Sequence, residues 1–197
     1  MTQILIVTGL IGSGKSTVVK CFENEGIPTL DADTIAHQLY RDTNHPICQQ
    51  IIQKFGQQIV INSQIDRKLL RQALHSKQDW EYLENLVNPL IHSTLVNFVK
   101  NNQHHPLVVI EVSVMNTLPF TQFDTLLVKT NLATQIERVK ARSGLSEDEI
   151  MFRINKQKQL LENVLFNHEI ENNNLTTTKI IVSQITKFYI HNHQKMI

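Results

Sequence analysis

The chain has 197 residues, 41% of them hydrophobic and 19% charged, with a formal net charge of +1 at pH 7. That length suits one sizeable core with room for a small appended subdomain, and the near-neutral balance argues against a broad electrostatic footprint for nucleic acid. Two cysteines, Cys21 and Cys48, are too few for a disulfide framework or a zinc site and fit a reduced, cytoplasmic protein, and no apolar run approaches the roughly 20 residues of a membrane span.

The first apolar run, ILIVTG from Ile4 to Gly9, is continuous and rich in β-branched residues. It predicts a strand buried on both faces, as in a parallel sheet. No basic stretch precedes it, so it reads as part of the fold and not as a cleaved signal. A helix is expected from Lys15 to near Gly26, with Val18, Val19 and Phe22 inward. PTLDAD, Pro28 to Asp33, predicts a second strand with its carboxylates at the C-terminal tip. The middle is mostly helical: Ile47, Ile51, Ile52 and Phe55 recur at helical spacing before Gly56, then DRKLLRQALHS and DWEYLENLVNPLIHSTLVNFVKNN follow. Pro89 inside the last segment predicts a kink or break near Asn88.

PLVVIEVSV (Pro106 to Val114) and TLLVKT (Thr125 to Thr130) predict two more strands. The next helical stretch divides at Ser143-Gly144, and Ser146-x-x-Glu149 fits a capping box for its second helix. ENNNLTTT, Glu171 to Thr178, reads as a polar loop, and TKIIVSQITKFYIHNHQ as a closing amphipathic helix. Strands alternating with helices predict a doubly wound α/β sheet. Ligands bind such sheets beyond the carboxyl ends of the strands, so Gly9 and Asp33, both predicted at strand ends, are expected to face one cleft.

Gly9-Leu10-Ile11-Gly12-Ser13-Gly14-Lys15-Ser16 matches G-x-x-x-x-G-K-[ST] at every fixed position. Glycines let successive backbone N–H groups turn toward phosphate, with no Cβ in the way. The phosphate site is therefore read over Gly12, Ser13, Gly14, Lys15, Ser16 and Thr17. Lys15 is expected to reach the β- and γ-phosphates, Ser16 to ligate Mg²⁺, and the following helix to point its positive end at the anion. No Asn-Lys-x-Asp guanine signature is present, which favours ATP. Asp31 and Asp33 are two apart and on a strand would share a face; one could accept a proton from a substrate hydroxyl as phosphoryl transfer begins. Equally, Asp33 could cap the helix that TIAHQLY predicts.

TGLIGSGKST, GIPTLDADTIAHQL, DRKLLRQAL, NPLI and ARSGLSEDEIMFRINKQ together resemble the dephospho-CoA kinase family, in its order and spacing and over most of the chain. The resemblance implies a P-loop NTPase-type doubly wound parallel sheet with helical substrate-binding and lid insertions. The expected division of this single kinase unit is a core of 1–40, 104–135 and 165–197, a substrate-binding region of about 41–103 and a lid of about 136–164. It implies ATP-dependent phosphorylation of the ribose 3′-hydroxyl of dephospho-CoA, the last step of CoA synthesis, with Mg²⁺ as cofactor. Asp33 would be the general base and Lys15 and Arg142 catalytic; Arg142 and Arg153, in the lid, would contact ATP phosphates. No nucleic-acid or membrane partner is implied. The oligomeric state stays open, with a monomer favoured.

Some positions depart from the family pattern. In place of D-x-P-L-L-[FV]-E stands Val109 to Met115, where Glu111 lies two residues after the usual acid. Glu111 either takes over Mg²⁺ or its water shell, or is a strand-end residue without a catalytic part. The loop's second glycine is Leu10, expected to reach the substrate side of the cleft; H-P is Asn88-Pro89, and A-R-D is Ala141-Arg142-Ser143. These departures keep two other functions open: a P-loop kinase for another small molecule or nucleoside, and a nucleotide-binding homologue with little turnover. The pairs His104-His105 and His191/His193 are expected in loop or tail. Trp80 and Tyr82 read as packing residues and not as an adenine platform. Arg67 and Arg71, one helical turn apart, either meet the substrate's anionic groups or form a solvated face.

Overall fold

The computed structural model describes residues 2–113, 118–162 and 164–195. In chain order its elements are β1 (Gln3–Thr8), α1 (Lys15–Asn24), β2 (Thr29–Asp31), α2 (Ala32–Leu39), α3 (Pro46–Phe55), β3 (Val60–Ile61), β4 (Gln64–Ile65), α4 (Arg67–Ala73), α5 (Lys77–Asn101), β5 (Leu107–Glu111), β6 (Asp124–Lys129), α6 (Leu132–Ser143), α7 (Glu147–Leu161), β7 (His168–Glu171) and α8 (Leu175–Lys195). The chain divides into two units, Met1–Asp31 with Phe98–Ile197, and Ala32–Asn97.

The first unit is built on a five-stranded sheet in the order β2-β5-β1-β6-β7. All four pairings are parallel. A parallel sheet must be covered on both faces, and all five residues of β5 are buried. On one face, Leu5, Val7, Val109, Leu126, Val128 and Ile170 pack with Val18 and Phe22 of α1 and with Val182 and Tyr189 of α8. Each such side chain contributes about 1.5–3 kcal/mol when fully buried. Parallel pairing also puts the carboxyl ends of β1, β2 and β5 on one edge, where Asp31 and Val7 both stand in register with Glu111.

The second unit has its own core. Leu39, Cys48, Ile51, Phe55, Leu70 and Val87 are buried together; of the positions predicted for α3, Ile51 and Phe55 are among them and Ile47 and Ile52 pack against them partly buried. Its β3–β4 hairpin turns through Asn62 and Ser63, both with left-handed backbone (φ 49 and 60). That conformation twists a two-residue connection the way a hairpin needs.

The structure corrects several sequence-based expectations. Pro89 does not break its helix: α5 runs unbroken through it. An interior proline costs about 3 kcal/mol, and here Leu83 and Val87 before it and Leu90 and Ile91 after it all pack on the second unit's core, which offsets that cost. β2 ends at Asp31, and Asp33 lies in the first turn of α2, so the two carboxylates do not share a strand face. Nor is Asp33 the cap, because the helix begins one residue before it. The polar stretch Glu171 to Thr178 is not one loop: β7 ends at Glu171 and α8 starts at Leu175. His191 lies within α8 and not in a loop or tail. Val114 and Met115, the end of the family-divergent stretch, lie outside the described residues.

A polar cluster closes the sheet at the amino ends of β6 and β7. The Tyr189 hydroxyl donates to Asp124 Oδ2 (2.7 Å) and lies 2.9 Å from His168 Nε2. Phe188 and Tyr189 both meet the His168 ring edge to face. Burial holds the His168 imidazole below its ordinary pKa, against the opposing pull of Asp124. The unfolded chain therefore takes up a proton before the folded one does. This contribution to stability is complete above the unfolded value, roughly pH 6.5, and is lost as pH falls through the lower folded value. Melting temperature should fall between pH 7.5 and 5.5, and His168→Asn should lower it at pH 7.5 while flattening that dependence. An equally steep profile in the variant would contradict this.

Candidate active site

The loop from Gly9 to Gly14 leaves β1 at the carboxyl edge of the sheet and delivers the chain into α1. At Gly12 and Gly14 φ is +77 and +87, a region that side-chain-bearing residues avoid. Space forbids a side chain as well. A Cβ on Gly12 would stand 2.7 Å from the Gln135 carbonyl, and one on Gly14 would collide with the Asn172 amide. No side chain caps α1 at Gly14. An uncapped helix N-terminus of this kind is where backbone N–H groups and the helix dipole meet an anion.

A loop that turns its N–H groups inward must find donors for its carbonyls, and here each one does. Lys15 Nζ donates to Gly9 O (3.0 Å), and Ser13 N to Leu10 O (3.1 Å). Gln135 Nε2 donates to Ile11 O (3.4 Å), while Arg138 Nη1 reaches Gly12 O (3.4 Å) and Ser13 O (3.3 Å). Asn172 Nδ2 donates to Ser13 O (3.1 Å) and Gly14 O (3.3 Å). Asn172 is itself held: Thr178 Oγ1 donates to its Oδ1 and Arg138 Nη2 to its backbone O. From α7, Gln157 Oε1 accepts from Ile11 N at 2.6 Å. Among these partners only Ser13 and Lys15 lie within the motif. Arg138 and Asn172 were not singled out from sequence, and their one faint signal was the side-chain amides of the ENNN stretch. Gln157 ended the family-like lid segment without being marked.

Ser16 Oγ donates to Glu111 Oε1 at 3.0 Å, and Glu111 is 7% exposed. Sequence left Glu111 between two readings; the register of β5 against β1 joins it to the phosphate loop. A serine hydroxyl and a carboxylate so placed are hard oxygen donors, the chemistry that Mg²⁺ selects, so these residues fit the ion that the loop implies.

Leu10 is half-buried. With Ile11 it packs on Val139, Ile150 and Ile154, the cluster that joins α6 to α7, and it lines a mainly apolar cavity of about 610 Å³ with Leu127, Leu161 and Phe166. The two helices are built as predicted: Gly144 ends α6 in a left-handed conformation, and Ser146 and Glu149 form the capping box. Arg142 is exposed in the last turn of α6. Arg153 is half-buried on α7, where its charge acts on Glu149, a carboxyl held low chiefly by the Ser146 backbone N–H. Asp33 is exposed on α2, in the second unit.

A complete phosphate loop on a parallel sheet, with a carboxylate behind its serine and two helices packed over its first half, defines a P-loop phosphotransferase. Residues 3–179 match the family model CoaE, dephospho-CoA kinase. The dephospho-CoA kinase of Latilactobacillus sakei is 33% identical over 167 residues, covering 82% of each chain. That of Clostridium tetani is 32% identical over 200 residues, covering 92% of this chain and 84% of its own. The dephospho-CoA kinase of Campylobacter jejuni shares the fold, with a TM-score of 0.67 at 22% identity over 95% of this chain and 98% of that one. The chain belongs to the dephospho-CoA kinase family.

The carbonyl clamp makes a testable claim about Asn172. Asn172→Asp removes both donors and sets a carboxylate oxygen against two carbonyls, a loss of charge-independent and charge-dependent terms together. ADP affinity, measured by calorimetry, should fall about tenfold or more, and Asn172→Gln should recover part of it. Unchanged affinity would show that the loop holds its shape without the clamp.

Proposed function

We propose that this chain transfers the γ-phosphoryl group of ATP to the ribose 3′-hydroxyl of dephospho-CoA, giving CoA and ADP, in the cytoplasm and without a nucleic-acid or membrane partner. The observation that carries the reading is the phosphate loop with Ser16 on Glu111, in a chain of this family. The region of about 41–103 is the substrate-binding part and that of about 136–164 the lid.

In this reading the stretch from Gly12 to Thr17 holds the β- and γ-phosphates, and Lys15 swings from the Gly9 carbonyl onto the transferring group. Ser16, its hydroxyl oriented by Glu111, would hold Mg²⁺, which would supply positive charge against that of the phosphate oxygens. Asp33 accepts the 3′-hydroxyl proton as the new P–O bond forms and the bond from the γ-phosphorus to the β–γ bridging oxygen breaks. Arg142 and Arg153 stabilise the charge spread over the equatorial oxygens.

A coupled assay of ADP release with ATP, Mg²⁺ and dephospho-CoA tests this. Lys15→Ala should reduce kcat by orders of magnitude, since it removes a charge aimed at the reacting phosphate. Asp33→Asn should lower kcat by about 10²–10⁴-fold while leaving nucleotide affinity nearly intact. ADP release with a nucleoside but not with dephospho-CoA would contradict the substrate, and nucleotide binding without release would contradict the reaction.

A further inference from the structure

The second unit carries a cleft of about 440 Å³ whose walls include His37, Tyr40, Arg41, Asp66, Arg67 and Lys68. Three of these are cations, in a chain whose net charge is only +1. The one carboxylate among them, Asp66, is already engaged: its Oδ1 accepts from the backbone N–H groups of Lys68 and Leu69. Arg41, Arg67 and Lys68 form no ion pair among the described residues. On its floor Tyr40 and Ile65 are buried, and Ile65 N donates to Tyr40 O at 2.9 Å, tying the hairpin to the end of α2.

Helix geometry links this cleft to Asp33. Residues 33, 37 and 40 follow the i, i+4, i+7 spacing of one helix face, and Tyr40 N continues the helical bonding to Ala36 O. Asp33 thus stands about 10 Å along the axis from Tyr40, at 1.5 Å per residue. For a nucleotide whose ribose 3′-hydroxyl lies at Asp33, a separation of this order is one that its 5′-linked diphosphate spans. Beside the cationic cleft, and sharing Tyr40 and Arg67 with it, is a smaller, mostly apolar one of about 150 Å³ lined by Leu70, Leu74, Leu83 and Trp80, the last 42% exposed, with Arg71 as its further cation.

We propose that the cationic cleft binds the diphosphate diester of the acceptor, Arg67 being its central contact, and that the adjoining apolar cleft takes the arm beyond the diphosphate. This deepens the function proposed above and rests on it for the acceptor's identity. It resolves the two sequence readings of Arg67 in favour of an anion contact, since guanidinium pairs with phosphate oxygens in a fixed fork. It also gives Trp80, more exposed than a packing role requires, a ligand to cover it.

The test uses the full chain. Calorimetry with dephospho-CoA and, separately, with ADP is run on wild type, Arg67→Ala, Arg67→Lys and Trp80→Ala, with melting temperature as a check on folding. Arg67→Ala should weaken dephospho-CoA binding about 10–100-fold and raise its KM to match, with ADP affinity and kcat within about threefold of wild type. Arg67→Lys should recover part of the loss, and raising the salt concentration should erode the wild-type advantage. Trp80→Ala should weaken dephospho-CoA alone. Equal loss for ADP and dephospho-CoA, or none for either, would overturn the assignment. If wild type binds dephospho-CoA through Arg67 but releases no ADP, the cleft stands and the proposed reaction falls; if both proteins turn over and Arg67→Ala keeps the wild-type KM and dephospho-CoA affinity, the reaction stands and the cleft falls.

Discussion

The structure depends on one requirement of the loop between Gly9 and Gly14: N–H groups that converge on an anion force their carbonyls the other way. A carbonyl buried without a donor costs about 1–3 kcal/mol, so a loop of this shape is stable only if something outside it supplies donors. Here those donors come from α6, from the residue after β7 and from Lys15 itself. The sheet order then matters for more than packing. It sets the end of β7 beside β6 and so brings Asn172 to the loop, and it sets β5 beside β1 and so brings Glu111 to Ser16.

This division of labour shows where the loop has room for the departures from the family pattern. Leu10 replaces a glycine at a place where a side chain can pack, against the apolar cluster of α6 and α7. Gly12 and Gly14 have no such freedom, because the same clamp that orients the loop fills the space a Cβ would need. The Ala141-Arg142-Ser143 variation falls at the end of α6, where Ser143 Oγ donates to the Val139 carbonyl and Arg142 remains exposed.

How far the site was legible follows from the range of each signal. The phosphate loop, α1 and the capping box of α7 rest on contacts within a few residues, and sequence showed them. The helical core of α3 was legible through its spacing. Partners joined only by folding were not. Arg138 is 126 residues from Gly12 and Asn172 is 159 from Ser13, and neither lies in a pattern of its own. Glu111 was visible but undecided, because strand register, not strand identity, joins it to Ser16. β7 and the β3–β4 hairpin escaped because four-residue and two-residue strands carry too little alternation to read. The expected break at Pro89 failed for the converse reason: a local rule was overridden by the packing of residues on either side of it.

The catalytic proposal thus builds on a phosphate site shaped before the nucleotide arrives. A crystal structure with ADP and Mg²⁺ tests that claim most directly. The account predicts that the backbone from Gly9 to Thr17 keeps its course, with Asn172 Nδ2 still on the carbonyls of Ser13 and Gly14 and the phosphates held by the N–H groups opposite. A loop whose peptides flip on binding, with Asn172 and Arg138 released from those carbonyls, would contradict it.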